Sequence, residues 1–199
     1  MLDPHDIIPK YLSAETTKAL IDNLSAFPEN IDKRFYSSAN LAPDLICQGD
    51  GIDDLLVVEV PSLRTKRASC IILSNTCDID PSNNRLLSTN IIYTPIVKLE
   101  AYKNFLTEEG ICSAQALEDH LKSIRSQHIT QIFYLPKFSD ASEEGIIFYD
   151  RLVSCASNAV DRSSLSTKRL FTLSQYGHYL FLLKLSIHFT RMNEGIDRG

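Results

Sequence analysis

The chain has 199 residues, a formal net charge of -5, and 44% hydrophobic against 23% charged residues. That balance supplies enough apolar side chain for a packed core and excludes disordered, collagen-like and linker-like chains. Charge is uneven: residues 1–61 hold 11 acids and 4 bases, whereas 62–199 hold 14 and 16, which argues against nucleic-acid binding over the whole surface.

The opening MLDPHDIIPK has no basic start and no apolar run, so no signal peptide is expected. Ser13 is the expected cap of a helix over 13–27, where Ala19, Leu20, Leu24 and Phe27 recur at helical spacing before Pro28. Residues 55–60 read as a strand closed by Pro61. Residues 68–73 carry apolar side chains at both parities, which predicts a central strand. Residues 90–97 form a third strand, with Pro95 marking an edge or bulge. The short polar connections suit an antiparallel meander or small barrel. Arg64, Lys66 and Arg67 lie together and read as a solvated hairpin tip.

Helical character follows over 99–105 and then from a Ser113 cap, with Leu117, Leu121, Ile124 and His128 on one stripe and His120 off it, in solvent. Strands return over 131–135 and 145–149, and 165–173 is ambiguous. A helix over 174–192, capped by Ser174, is apolar nearly all round, so it should be buried on more than one side or against a partner. Its apolar run is broken by Lys184 and is too short to cross a bilayer. The organisation expected is one α+β domain: a helical segment 1–44, a β core over 45–98 and 130–173, a helical insertion 99–128 and a C-terminal helix 174–192.

The most unusual stretch is Ser74-Asn75-Thr76-Cys77-Asp78, where a buried strand runs into small polar residues, a thiol and a carboxylate. Strand ends of this kind open onto surfaces or clefts, and the loops there often carry function. One reading is a tight turn, with Cys77 a small hydrophobe and Asp78 a turn or ion-pair residue. A second makes Cys77 a nucleophile, which needs a cationic neighbour or a base; His178 and His188 are the candidates, and Asp78 works against it. A third places a cation at Asp78 and Asp80, but Asn83 and Thr89 replace the glycine and glutamate of a calcium loop, and no metal or other cofactor is expected. Five cysteines without a CxxC pair predict neither a zinc ribbon nor a disulfide framework, hence a reduced, cytoplasmic chain. Motifs of P-loop, dinucleotide-binding, α/β-hydrolase and HExxH enzymes are missing.

Gly49-Asp50, the Arg67-to-Ser74 strand and the Ile91-to-Val97 strand follow one another in an order that resembles PemK/MazF-like proteins, over about residues 48–98. The resemblance implies an antiparallel SH3-like β-barrel with flanking helices, and a bacterial toxin–antitoxin setting. In that family a Gly-Asp opens the barrel, and Gly49 and Asp50 match it. Arg67 stands where the family has its catalytic arginine, with Ala68 in place of the following proline. Ser74 matches the strand end. The family's catalytic threonine has no counterpart, because Ile96 and Val97 follow Pro95. Two functions follow as expectations. The first is a non-catalytic interaction or regulatory subunit with a protein partner or a second copy of itself, away from membranes. The second is an enzyme, either an endoribonuclease with RNA as substrate and Arg67 stabilising phosphate charge, or a hydrolase using Cys77 and Asp78. In either case the expected site is a mouth formed by Gly49, Asp50, Arg67, Ser74, Asn75, Thr76, Cys77 and Asp78.

Overall fold

The computed structural model describes residues 15, 18, 19, 22, 25–31, 34–39, 42–83 and 86–190. In chain order its elements are β1 (Asp50–Glu59), β2 (Arg64–Ile72), α1 (Thr76–Ile79), β3 (Asn90–Pro95), β4 (Val97–Lys98), α2 (Leu99–Glu108), α3 (Ala114–Arg125), β5 (Ile132–Leu135), β6 (Gly145–Phe148), β7 (Val153–Ala156), two 3-10 turns (Ser157–Ala159 and Arg162–Ser164), α4 (Leu165–Lys168), β8 (Arg169–Thr172) and α5 (Gln175–Thr190). Most of the helix expected over 13–27, including its Ser13 cap, lies outside the described residues, while Glu15, Lys18, Ala19, Asp22 and Ser25 are helical.

β1 begins five residues before the apolar run that announces it, because Asp50, Gly51 and Ile52 pair with β8. β1 and β2 pair antiparallel from Gly51↔Ile71 to Glu59↔Arg64, with a bulge between Ile52 and Leu55. Asp54 sits in that bulge at φ 63, a left-handed conformation that aspartate tolerates better than most residues. The bulge rephases the strand, so Ile52, Leu55 and Val57 all enter one core. The expectation of a central β2 holds: Cys70 and Ile72 enter that core while Ile71 and Leu73 enter the other.

The larger sheet runs β7-β3-β2-β1-β8 and the smaller β4-β6-β5, and every pairing is antiparallel. The α+β class is therefore as expected, but the closed SH3-like barrel is not found: among the described residues β7 and β8 do not pair, and the sheets stay open. Beyond the Cys70↔Pro95 pair the Ile96 N–H still donates to Ser69 O at 2.8 Å, and the chain then crosses to the second sheet through β4.

The first core gathers α2, α3, β5, β6 and α5 against Ile71, Leu73 and Phe35. Ser113 caps α3 by accepting from the Ala116 N–H, and Leu117, Leu121 and Ile124 are buried along the predicted stripe. His120 is not simply solvated: its Nε2 lies 3.1 Å from Tyr102 Oη and joins α3 to α2. Ser174 caps α5 through the Gly177 N–H. The ambiguous 165–173 run resolves into α4 and β8. α5 corrects one expectation. Leu183, Ile187 and Phe189 are exposed, whereas Lys184 is buried and donates to Gln127 O, Gln127 Oε1, Ile129 O and Ile132 O. Among the described residues no helix is long and apolar enough to cross a membrane.

Candidate functional site

At the end of β2 the apolar residues stop and short polar side chains take over the backbone bonding. Ser74 Oγ accepts from the Ile92 N–H at 2.8 Å. Asn75 caps α1, its Oδ1 accepting from the Cys77 N–H at 2.9 Å. The tight turn read from the sequence is thus one turn of helix, because an Asn at the cap satisfies an N–H that would otherwise be orphaned.

The loop before β1 lies directly on this segment. Gln48 N donates to Thr76 Oγ1 at 3.0 Å, Gln48 Nε2 to Leu73 O at 2.7 Å, and Gly49 N to Ile72 O at 2.9 Å. Gly49 holds φ 87, a left-handed conformation that favours glycine, and a Cβ there would stand 2.8 Å from the flexible tip of Leu173 at Cδ1. Asp50 is fully buried. Its Oδ2 accepts from the Cys47 N–H at 2.8 Å, its Oδ1 accepts from Thr172 Oγ1 at 2.6 Å, and Arg169 Nε lies 3.3 Å away. Burial raises the Asp50 pKa, opposed by the Thr172 and Cys47 hydrogen bonds and the Arg169 charge. Burial, then the Asp50 charge, also raises the Cys47 thiol pKa.

Gly49, Asp50, Ser74, Asn75 and Thr76 therefore come together, and Cys77 and Asp78 stand exposed beside them on α1. Arg67 does not join them. It pairs with Leu56 far along the β1–β2 ladder and donates to Asp54 O at 2.7 Å, with the Asp54 carboxylate at 3.4 Å. Six residues, hence seven steps along the chain, separate it from Ser74, a path of roughly 23 Å at extended spacing. Parity and rise along β2 hold the guanidinium away from the expected mouth.

Of the two histidines considered as bases for Cys77, His178 is tied to the loop before β1 and His188 packs on an aromatic ring. His178 Nε2 meets Gln48 Oε1 at 3.3 Å, and burial lowers its pKa so that the ring is neutral at pH 7. His188 stacks 5.7 Å from the Tyr149 ring. The acids clustered in sequence are dispersed too: Asp53 accepts from Ser69 Oγ, and Asp54 pairs with Lys168 Nζ at 2.8 Å. Among the described residues no three His, Cys, Asp or Glu side chains converge as cation ligands.

The residues that organise this region and were not singled out from sequence are Cys47, Gln48, Arg169 and Thr172. Each comes from a segment with no motif, and Asp50 meets Thr172 across 122 residues. Arg67 instead stands with Lys168 at the rim of a cavity of about 270 Å³ between β1 and α4. Compared with known proteins, the chain matches no protein-family model and no curated protein.

Proposed function

We propose that the chain is a non-catalytic interaction or regulatory subunit, and that a protein partner seats on the outer face of the β1–β2 ribbon. The observation that carries this reading is the burial of Leu55-Leu56-Val57-Val58. Leu55 and Val57 enter the core, while Leu56 and Val58 face solvent at 47% and 37% exposure. Val60 and Leu63 continue the apolar surface at the turn, 82% and 72% exposed. Among the described residues the ribbon beyond this point has no third strand: β8 pairs β1 only over Asp50–Ile52, and β3 pairs β2 only over Cys70–Ile72. Isolated two-stranded ribbons are marginal in water, and clustered exposed aliphatics of this kind suit a covering surface. Arg67 and Thr65 stand opposite Leu56 and Val58 on this face, whereas Lys66 and Arg64 stand opposite Val57 and Glu59 on the other and pair with Glu59, so the partner's matching surface is mainly apolar.

The resemblance over about residues 48–98 supports a bacterial, toxin–antitoxin-like or defence-like setting, in the cytoplasm. The test is native mass spectrometry of the chain drawn from its host, beside the double variant Val58→Asp/Leu63→Asp. A protein at fixed stoichiometry, lost in the variant at unchanged melting temperature, supports the reading. A bare monomer at micromolar concentration overturns it.

The ribonuclease reading has one observation in its favour. Arg67 and Lys168 converge on the single Asp54 carboxylate, and two cations close together suit phosphate. RNA cleavage that is equal in the native chain and Arg67→Ala removes it. Cysteine hydrolysis is weaker, and full activity in Cys77→Ala removes it.

A further inference from the structure

We infer that the free edge of β2 over residues 64–68 is a docking site for one extended strand of the protein partner, added beside β2 in the plane of the larger sheet, with apolar residues on its outer face and acidic residues on its inner face. The inference rests on the partner reading and names the element by which the partner makes contact.

The backbone comes first. Ser69 O accepts from the Ile96 N–H at 2.8 Å, and the Leu73 N–H donates to Ile92 O at 2.8 Å. Successive residues of a strand turn their backbone groups to opposite edges, so the odd-numbered residues of β2 face the β3 side and the even-numbered ones face β1. The bulge in this ladder lies on β1, between Ile52 and Leu55, and leaves the alternation along β2 intact. Thr65 and Arg67 therefore aim N–H and C=O groups past the point where β3 has left the sheet, and among the described residues no strand meets them. Beside this edge lies a groove of about 670 Å³, with Val57 and Ala68 on the ribbon side and Pro95, Ile96 and Leu152 across from them. Five strand residues span roughly 17 Å. The edge thus offers ladder bonds to one short strand, and the groove receives its inward side chains, which is how strand addition divides affinity from specificity.

The side chains then select the occupant. A second copy of the chain does not suit the edge. Pairing β2 with itself about a two-fold axis sets Arg64 on Arg64, Arg64 on Lys66, Lys66 on Lys66 or Arg67 on Arg67, as the axis passes residue 64, 65, 66 or 67. Like charges directly opposite are unfavourable, and charged side chains guard an edge against its own kind. On the inner face Arg64 and Lys66 share the one Glu59 carboxylate, at 2.8 and 3.4 Å, while Asp150 and Arg151 across the groove offset each other in charge. Glu59 stands on β1, away from the free edge, so a strand added to β2 meets the two cations first. Acidic residues opposite Arg64 and Lys66 are therefore matched and basic ones are not. On the outer face the added strand lies beside Thr65 and Arg67, where its apolar residues extend the surface of Leu56 and Val58. These charges are exposed, so they choose the strand more than they hold it.

The experiment is amide-resolved NMR of the full chain, titrated with an acetylated six-residue peptide alternating valine and glutamate and with its valine–lysine counterpart, and repeated on Thr65→Pro and Thr65→Val. Proline at 65 removes an edge N–H that takes no part in the β1 ladder, and valine keeps it. The comparison of the two peptides is made on the native chain and needs no variant. The expected result is that the glutamate peptide slows exchange of the Thr65 and Arg67 amides and binds about fivefold tighter than the lysine peptide. Thr65→Pro then weakens it about fivefold, as for one lost hydrogen bond, and Thr65→Val leaves it unchanged. Binding that Thr65→Pro does not weaken, equal binding of the two peptides, or no protection of the Thr65 and Arg67 amides at millimolar peptide overturns the edge site. The partner reading fails separately. A host complex lost in Val58→Asp/Leu63→Asp but intact in Thr65→Pro keeps the partner and removes the added strand. A bare monomer from the host, with the peptide protecting Thr65 and Arg67, removes the partner reading and keeps the edge as a strand-binding site.

Discussion

Asp50 is the residue on which the region around β1 turns. A carboxylate with no solvent contact survives because Cys47 N, Thr172 Oγ1 and Arg169 surround it. Removing one partner of a buried pair leaves the other charge uncompensated, which typically costs about 3–5 kcal/mol. Asp50→Ala is expected to lose stability on that scale in urea unfolding monitored by circular dichroism. Lys184 is the second residue of this kind. Burial lowers its pKa from 10.5 to about 7. Because the folded value is the lower one, the unfolded chain binds more protons between those two pH values. Stability therefore rises with pH from about 7 towards 10.5, and the full cost of the buried charge is present below 7. Urea midpoints measured across that window should climb in the native chain, and the climb should vanish in Lys184→Met. Glu144 has the opposite sign. Arg125, bonding it through Nε and Nη2 at 2.8 Å each, holds the carboxyl pKa below its ordinary 4.5. That contribution is present above 4.5 and is lost as pH falls through the folded value, so Glu144→Gln should flatten the acid limb of the stability profile.

Among the elements, α5 depends on close approach. A Cβ on Gly177 would stand 2.3 Å from the Phe35 carbonyl oxygen, which is backbone and cannot swing away. Gly177→Ala should force the first turn of α5 off residue 35 and cost roughly 1–3 kcal/mol, as overpacking does; thermal melts read the loss. The helix also shows why Lys184 looked out of place in the sequence. The segment after α3 turns at Gln127, φ 56, and presents the carbonyls of Gln127, Ile129 and Ile132 towards α5. An apolar side chain at position 184 would leave those oxygens without a donor, so the polar residue sits on the buried side and Leu183, Ile187 and Phe189 are left outside.

For the whole molecule, the larger sheet is covered on both faces near its middle and loses its neighbours along the β1–β2 ribbon. Amide hydrogen exchange should separate the two regions. The amides of Ile71 and Ile91, both fully buried residues, should exchange slowest, and the Val58 and Val60 amides far faster, since ribbon opening needs little core to break. Addition of the proposed partner should slow the ribbon amides selectively.

The sequence by itself determined the α+β class, β2, β3, β5, β6, α2, α3 and α5, because hydrophobic periodicity and capping residues act over a few neighbours. It also marked Gly49-Asp50 and the Ser74-to-Asp78 segment as joined to strand ends, and the fold brings them together. What it left open was everything that depends on partners distant in the chain. Arg169 and Thr172 reach Asp50 only because β8 pairs with β1. The bulge at Asp54 brings Ile52 and Leu55 into the same core, which the run read over 55–60 did not show. The expected barrel stays open because its two edge strands, β7 and β8, do not pair among the described residues, which no local pattern announces. Arg67 lies far from Cys77 for a plainer reason: local sequence fixes which residue types sit near a strand, but strand rise and register decide which of them share a space.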